Sequence, residues 1–486
     1  MLKTSYKSGK MYDKILDISK RRGISYPSFE IYGGVSGFYD YGPIGTRIKK
    51  NIEEQLRKRY VIGQGCMEVE CPTLGPESMW IASGHVKSFT DLMSECIKCG
   101  EAYRIDHLIE NQLGVNVEGR GPEDIQEYVD KLACPKCKGG LSSPYNYNLM
   151  FETSIGPGKD RITAYLRPET AQSTYLAFKR LWEFARKRLP FGVMQVGHSF
   201  RNEISPRQGM IRLREFNQAE IQFFTDPECQ ETERFSEVEG MKVRIKDKND
   251  GEGETTLGEA YEEGVIGIQF IAYQLGKAVQ FFTDIGVDPD RLTLRQHRDD
   301  ERSFYSSDTW DVEYLSDTFG KIELVGIADR GQYDLSQHME HSKEDLRINV
   351  DGRKFIPKII EVAYGIDRPF YCTIESCFRE EEDRTYFSFP VKTAPYTASV
   401  FPLVKKDGLA EKARVLYEML RENGVYIIYD ESGSIGKRYA RSDEVGIPYS
   451  ITVDYDTMKD DTVTIRERDG RGQKRVALGE ILGNLV

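Results

Sequence analysis

Residues 211–224 read IRLREFNQAEIQFF, from Ile211 to Phe224. Side chains on a β-strand alternate faces with period two. In that register Arg212, Arg214, Phe216, Gln218 and Glu220 share one face, while Leu213, Ala219, Ile221 and Phe223 form an apolar opposite face. Two cations, an aromatic ring and an acid make a poor core surface and a good floor for a polar ligand. The stretch therefore predicts a strand that lies on a core and carries a binding site. Just upstream, residues 193–203 predict a second strand, joined to the first through the turn-rich SPRQG at residues 205–209.

Outward from this pair, residues 46–60 place Ile48, Ile52 and Leu56 on one helical face, with Glu53/Arg57 and Glu54/Lys58 as outer pairs. A further helix is expected from Pro168, an accepted first-turn residue, through Tyr175, Phe178, Trp182 and Ala185. Residues 322–327 and 358–363 predict strands, the second running into a helix at Gly365. Residues 246–255, charged and Gly-rich, read as a loop. Residues 94–143 interrupt the apolar pattern and read as an insertion. Beyond Phe389, strand, helix (409–422), strand (425–430), helix and strand precede a hairpin at Asp469-Gly470, the pattern of a separate small α/β domain.

A chain of 486 residues exceeds what one hydrophobic core usually serves. Its 67 basic and 78 acidic residues give a net charge of −11, so the average sign offers no hint of a nucleic-acid partner. From Val391 onward, however, basic and acidic residues balance at fifteen each. A neutral tail on an acidic body can still meet a polyanion through a local patch, because screening favours near charges. No window supplies the ~20 apolar residues of a membrane span. Residues 1–20, with five lysines and two aspartates, lack the apolar run of a signal peptide. The expectation is a soluble, cytoplasmic protein.

Cys96-Ile-Lys-Cys99 and Cys134-Pro-Lys-Cys137 are two matched knuckles. Two-residue spacing lets both sulfurs of a turn face one ion, and two such turns complete a tetrahedral four-thiolate zinc site. A fully thiolate shell leaves no open position for substrate, so this zinc is expected to be structural. Cys66, Cys71, Cys229, Cys372 and Cys377 show no pairing pattern and read as small buried side chains in a reducing compartment. Gly433-Ser-Ile-Gly436-Lys437 is not a phosphate loop, since the spacing requires glycine where Glu431 stands. Gly33, Gly34 and Gly37 lack a strand-to-helix setting and read as a loop. His338 and His341, without a third ligand nearby, read as solvated.

Four elements remain: FRNE from Phe200, the strand with Arg212 and Phe216, IEL from Ile322, and GIDR from Gly365. In this order they resemble the signature motifs of class II aminoacyl-tRNA synthetases. YRIDHLIE from Tyr103, LRPETAQ from Leu166, REFNQAEIQFF from Arg214 and GIADRGQYDLSQHM from Gly326 are similar to the glycyl subgroup, of the dimeric archaeal and eukaryotic type. IGKRYARSDEVGIPYSITVD from Ile435 resembles its anticodon-binding domain. Rival readings are an inactive synthetase-like nucleic-acid-binding protein and a synthetase for another small amino acid; retention of the arginines argues against the first.

The resemblance implies an α+β fold: a class II antiparallel sheet flanked by helices, with a zinc-bearing insertion and a C-terminal α/β anticodon-binding domain. Residues 1–93 would begin the catalytic domain, 94–143 form the zinc-binding insertion, 144–389 the catalytic core and 390–486 the anticodon-binding domain. It implies ATP, glycine and tRNA(Gly) as substrates, Mg²⁺ as cofactor, and a homodimer. Arg201, Glu203, Arg212, Glu323 and Arg368 would be catalytic. Arg201 would hold the α-phosphate, Arg212 and Arg368 the distal phosphates, Glu203 the adenine side and Glu323 the Mg²⁺, with Phe216 stacking on adenine. Asn202, Ile211, Leu213, Arg214, Glu215, Leu324, Gly365, Ile366 and Asp367 complete the implied ATP site. Glycine would meet Glu169, Gln218, Glu220 and Glu361, with Arg104, Phe216, Arg330, Ala363 and Gly365 around it. The family commonly has Ser where Ala363 stands, so one hydroxyl contact to glycine is missing.

Overall fold

The computed structural model describes residues 8–117, 120–204, 206, 209–302 and 306–485. Residues 1–7 of the basic N-terminal stretch, and Ser205, Arg207 and Gln208 of the SPRQG turn, lie outside the described residues. The central sheet has nine strands: β1 (Met67–Val69), β2 (Phe191–Phe200), β3 (Glu215–Thr225), β4 (Lys242–Lys246), β5 (Glu252–Thr256), β6 (Leu292–Gln296), β7 (Asp308–Ser316), β8 (Gly320–Gly331) and β9 (Lys358–Gly365). Their order is β5-β4-β6-β7-β8-β9-β3-β2-β1. Only β4/β6 and β2/β1 pair in parallel; every other junction is antiparallel.

One face of the sheet is covered by helices α1 (Pro43–Arg57), α2 (Gln269–Ile285) and α3 (Asp367–Cys377). Ile48, Ile52 and Leu56 of α1, Phe281 and Phe282 of α2 and Phe370 of α3 pack there against Ala219, Ile221, Val325, Ile327, Val362 and Tyr364. The expected helix at 46–60 begins earlier, at Pro43, whose fixed φ suits a first helical position. It continues through one wide turn at Lys58–Ile62. Tyr60 and Tyr364 share a buried hydroxyl hydrogen bond of 2.7 Å that pins this turn to β9.

Several sequence expectations are corrected. The helix expected from Pro168 starts only at Ala171 and breaks at Ala177 into Ala171–Leu176 and Phe178–Phe184. Its delayed start has a cause: the Thr170 backbone N–H and hydroxyl both donate to Glu220 Oε2, at 3.0 and 2.6 Å, which holds Glu169 and Thr170 in a loop. Strand β3 starts at Glu215, so Arg212 and Arg214 precede it and the alternation argument covers only Phe216, Gln218 and Glu220. Residues 246–255 are no simple loop but the tip and second strand of the β4–β5 hairpin. Edge strands expose both faces, so charge masked the alternation, while Asp247 Oδ1 accepts the Asn249 and Gly251 N–H groups across the tip. His338 is buried rather than solvated. Helix Ser8–Arg22, unassigned from sequence, buries Ile15 and Ile18. Of the unpaired cysteines, Cys66, Cys372 and Cys377 are buried as expected, Cys71 is partly covered and Cys229 is exposed.

The insertion is a three-stranded antiparallel sheet in the order Ala102–Arg104, Thr90–Glu95, Tyr145–Asn148. Helices Ile105–Leu113 and Pro122–Val129 close its own small core of Ile105, Leu108, Ile109, Ile125 and Val129. The C-terminal part carries β10 (Ala398–Pro402), β11 (Ile427–Tyr429), β12 (Tyr449–Val453), β13 (Thr462–Glu467) and β14 (Gln473–Ala477), in the order β11-β10-β12-β13-β14. Helices α4 (Leu409–Glu422) and α5 (Ile435–Glu444) connect the parallel strands, and Ala398, Val400, Leu416, Leu420, Ile451 and Ile465 contribute to a second core. It docks on the body through the Arg47 guanidinium, 3.5 Å over the Tyr426 ring, and through Arg21 and Arg22, which both grip Glu444. Among the described residues no helix is long and apolar enough to cross a membrane.

Candidate active site

Away from the helices α1 to α3, the sheet opens into a cavity of about 340 Å³. Its floor comes from four adjacent strands: Phe216, Gln218 and Glu220 of β3, Thr309 and Asp311 of β7, Gly326 and Ala328 of β8, and Glu361, Ala363 and Gly365 of β9. The same alternation that buries Ala219, Ile221 and Val362 turns these side chains up. Four of them are glycine or alanine, which leaves room above the sheet. A Cβ on Gly326 would lie 3.6 Å from Asp311 Oδ1 and 3.8 Å from Glu323 Oε1, so two carboxylates overhang a residue without a side chain.

Glu323 reaches the cavity by an irregularity. Val312 pairs with Val325, but the next residue, Glu313, pairs with Glu323, so Leu324 is an extra residue in β8. A bulge of this kind shifts the alternation by one. Leu324 and Val325 therefore both point into the core, at 1 % exposure each, and Glu323 turns up with half of its side chain open.

Cations wall one end. The Arg201 guanidinium lies between the Phe89 and Phe216 rings, 5.3 and 5.2 Å from their centroids, and its Nε donates to Pro168 O. Arg368, in the first turn of α3, donates Nε to Ile211 O at 3.2 Å and Nη1 to Glu323 Oε2 at 3.2 Å. Burial pushes the Glu323 carboxyl up, but Arg368 outweighs it and holds it below its ordinary range. Arg212 Nε lies 3.5 Å from Glu203 Oε2.

Carboxyls crowd the other end. Glu361 accepts from Gln222 Nε2 at 2.8 Å and Arg330 Nη1 at 3.0 Å, and Arg330 turns its other edge to Asp334 at 2.8 and 2.9 Å. Glu169 accepts from Gln172 Nε2 at 2.9 Å and lies 3.5 Å from His85 Nε2. Burial, then the Glu361 and Glu169 charges, push Glu220 up to about 8. Burial also raises Glu361 despite Arg330. Burial works the same way on Glu169, yet His85 and Arg330 hold it well below the usual carboxylate range. Three acids thus converge where one guanidinium, shared with Asp334, and the His85 ring are the nearest counterparts, and the buried Gln218 Oε1 adds an acceptor with no hydrogen-bond partner among the described residues. Such a site is short of positive charge and of donors, and a small ammonium supplies both.

Fifteen of the residues singled out from sequence line this one cavity, Arg201, Arg368 and Glu361 among them. Seven do not. Leu324 and Ile366 are in the core. Asn202 Nδ2 donates to the Tyr147 hydroxyl, Arg214 to Glu203 O and Ser36 O, and Glu215 pairs with His198 at 3.1 Å. Arg104 pairs with Asp91 and Asp106, at 3.3 and 2.6 Å. Arg330 stands behind Glu361 at 1 % exposure. Conversely, Thr309, Asp311 and His297 line the cavity and were not picked out. His297 Nε2 lies 2.6 Å from Asp311 Oδ2. The alternation of Thr309, Asp311 and Glu313 with Trp310, Val312 and Tyr314 was available as a signal; His297 follows β6 in a segment with no pattern.

The four knuckle sulfurs of Cys96, Cys99, Cys134 and Cys137 lie within 4.8 Å of one another, with Cys96–Cys137 at 3.4 Å and Cys99–Cys134 at 3.8 Å. Tetrahedral bonds of ~2.3 Å place thiolates roughly 3.8 Å apart, so the cluster fits a zinc ion. The exposed His341 and the buried His338, which hydrogen-bonds Gln172 at 2.8 Å, form no such cluster.

Comparison with known proteins gives this geometry a family. Residues 158–377 match the tRNA synthetase class II core domain (G, H, P, S and T), and residues 397–486 match the anticodon binding domain. Among solved structures, a Giardia lamblia prolyl-tRNA synthetase in complex with prolyl-adenylate is similar in fold, with a TM-score of 0.59 at 14% identity over 98% of this chain and 76% of that one. The glycine-tRNA ligase of Methanocaldococcus jannaschii is 42% identical over 98% of both chains, and that of Thermococcus gammatolerans 41% identical over 98% of both. Similarity of this degree along nearly the whole of both sequences reaches past a shared domain, and the chain belongs to the glycine-tRNA ligase family of class II synthetases.

Proposed function

We propose that the chain activates glycine with ATP and passes the glycyl group to the 3′ end of tRNA(Gly). The convergence of Glu169, Glu220 and Glu361 at one end of a cavity whose other end holds Arg201, Arg212 and Arg368 carries this reading. Glycine presents an ammonium to the acids and a carboxylate toward Arg201. That carboxylate attacks the α-phosphorus, an oxygen–phosphorus bond forms, and pyrophosphate leaves. Negative charge builds on the phosphorus oxygens and on the leaving group, and guanidinium groups already fixed by Pro168 O, Ile211 O and Glu323 stabilise it without reorganising. A terminal ribose hydroxyl of tRNA then attacks the carbonyl carbon, and AMP leaves.

Adenine stacks on Phe216, with Glu203 beside it. Glu323 would hold Mg²⁺, a hard cation suited to one or two carboxylates plus phosphate oxygens, which neutralises phosphate charge when bound. The half-open Glu323 carboxylate and the neighbouring Asp311 offer that donor set. Glycine needs no side-chain pocket, and its recognition rests on the acids that hold its ammonium. Ala363 lacks the hydroxyl common in the family; Gln218 Oε1, without a hydrogen-bond partner among the described residues, supplies an acceptor instead. The four cysteines hold a structural zinc, and residues 390–486 read the anticodon loop. The chain works as a homodimer in the cytoplasm.

Pyrophosphate exchange into ATP tests the reading directly. Glycine alone among the amino acids should support exchange, and exchange with none, or with another amino acid in preference, overturns it. Metal analysis of anaerobically purified protein should return one zinc per chain, lost in Cys134→Ser.

A further inference from the structure

Glu169 occupies a loop rather than a helix, so nothing in regular secondary structure aims its carboxylate. Oε1 is held by Gln172 at 2.9 Å. Oε2 faces His85 Nε2 at 3.5 Å, and the two side chains are about equally enclosed, at 10 and 11 % exposure. His85 does not line the cavity; it stands one layer out, in the short helix His85–Ser88.

His85 is fixed from every side. Its Nδ1 meets Ser83 Oγ at 2.8 Å. Its ring packs edge-on to Trp80, with centroids 5.4 Å apart, and lies 5.6 Å from Phe89, the ring that also supports Arg201. Its carbonyl accepts from Asn148 Nδ2 at 3.3 Å, and Asn148 ends the last strand of the cysteine-bearing insertion. A carboxylate at Nε2 selects the tautomer that carries its proton there, leaving Nδ1 to accept from the Ser83 hydroxyl.

We propose that His85 is a positioning residue: through Nε2–H it aims the Glu169 carboxylate at the ammonium of the amino-acid substrate, and it takes its own place from the root of the insertion. The inference rests on the glycine-activating function proposed above. Its energetic logic is that of a site whose acceptor must be in place before the ligand arrives. A carboxylate free to swing out of the loop loses that preorganisation and weakens substrate binding, while Arg212 and Arg368 at the phosphate end keep their own contacts to Glu203, Ile211 O and Glu323.

The side-chain nitrogen of glutamine reaches where His Nε2 stands, and that of asparagine reaches only to Nδ1. Exchange kinetics of His85→Gln, His85→Asn and His85→Leu in the full-length protein therefore separate positioning from mere packing. His85→Asn and His85→Leu should raise KM for glycine about tenfold, with kcat within threefold and KM for ATP unchanged; His85→Gln should restore most of the loss. The proposal is overturned if KM for glycine stays at the wild-type value in His85→Asn, if glycine and ATP constants rise together, or if Gln is no better than Asn. Should His85→Leu be insoluble, the Gln/Asn pair decides alone. Absence of glycine-dependent exchange in the wild-type protein would instead sink the proposed function, so the two failures are distinguishable.

Discussion

The C-terminal domain and the cavity both bury charge, but they balance it differently. In the former, Asp443 accepts Arg466 through both oxygens at 2.9 Å and Arg384 at 2.8 Å, and Arg468 donates to Phe389 O and Gly446 O. Every carboxyl there whose affinity for protons moves, namely Glu431, Glu444, Asp454 and Asp460, moves down. In the cavity the directions divide: against burial, His85 and Arg368 hold Glu169 and Glu323 down, while Glu220, Glu361, Asp311 and Asp367 are pushed up, chiefly by burial. Charge balanced within the fold is architecture; a cluster of acids with raised proton affinity marks where a ligand completes the count.

If that distinction holds, changes in the two regions should dissociate activity from stability. Arg201→Ala should cut glycine-dependent exchange by at least ~10²–10³-fold, the scale of losing one preplaced charge-stabilising donor, with little change in Tm. Activity within tenfold of wild type would erase the distinction. Asp443→Ala should do the reverse. It strands Arg466 and removes one partner of Arg384, and breaking a buried pair costs about 3–5 kcal/mol, visible as a lowered urea midpoint with exchange retained at 25 °C.

Glu220→Gln sharpens the contrast within one residue. Folding raises its proton affinity from near 4.5 to about 8, so its contribution to stability is fully present below 4.5 and is lost as pH rises through 8. Without substrates, the variant should lose less Tm than wild type between pH 5 and 8 and melt about 1–3 °C higher at pH 8. Its KM for glycine should nevertheless rise ~10- to 100-fold. Parallel pH–Tm profiles for the two proteins would show that Glu220 is not strained by its neighbours.

Much of this was legible in the sequence, and the rest failed for identifiable reasons. Period-two alternation placed Glu220 and Phe216 over the site because β3 is regular and has one apolar face. It does not reach Arg212 and Arg214, which precede the strand; Arg212 lines the cavity all the same, while Arg214 turns to Glu203 O and Ser36 O. Applied to β7 it would have found Asp311, whose neighbours Trp310 and Val312 are as apolar as any in β3. Leu324 was misplaced because a bulge leaves no mark in residue type. His85 and His297 act through contacts made by distant segments, which spacing along the chain does not encode.

The extra residue at Leu324 also sets how this enzyme tolerates genetic change. Substitutions on either side alter one side chain at a time. Losing the Leu324 codon would remove the bulge yet leave Glu323 facing the cavity and Ile322 the core, because the residues on either side keep their parity. The reading frame of the protein would survive such a deletion, and so would the direction of its acid.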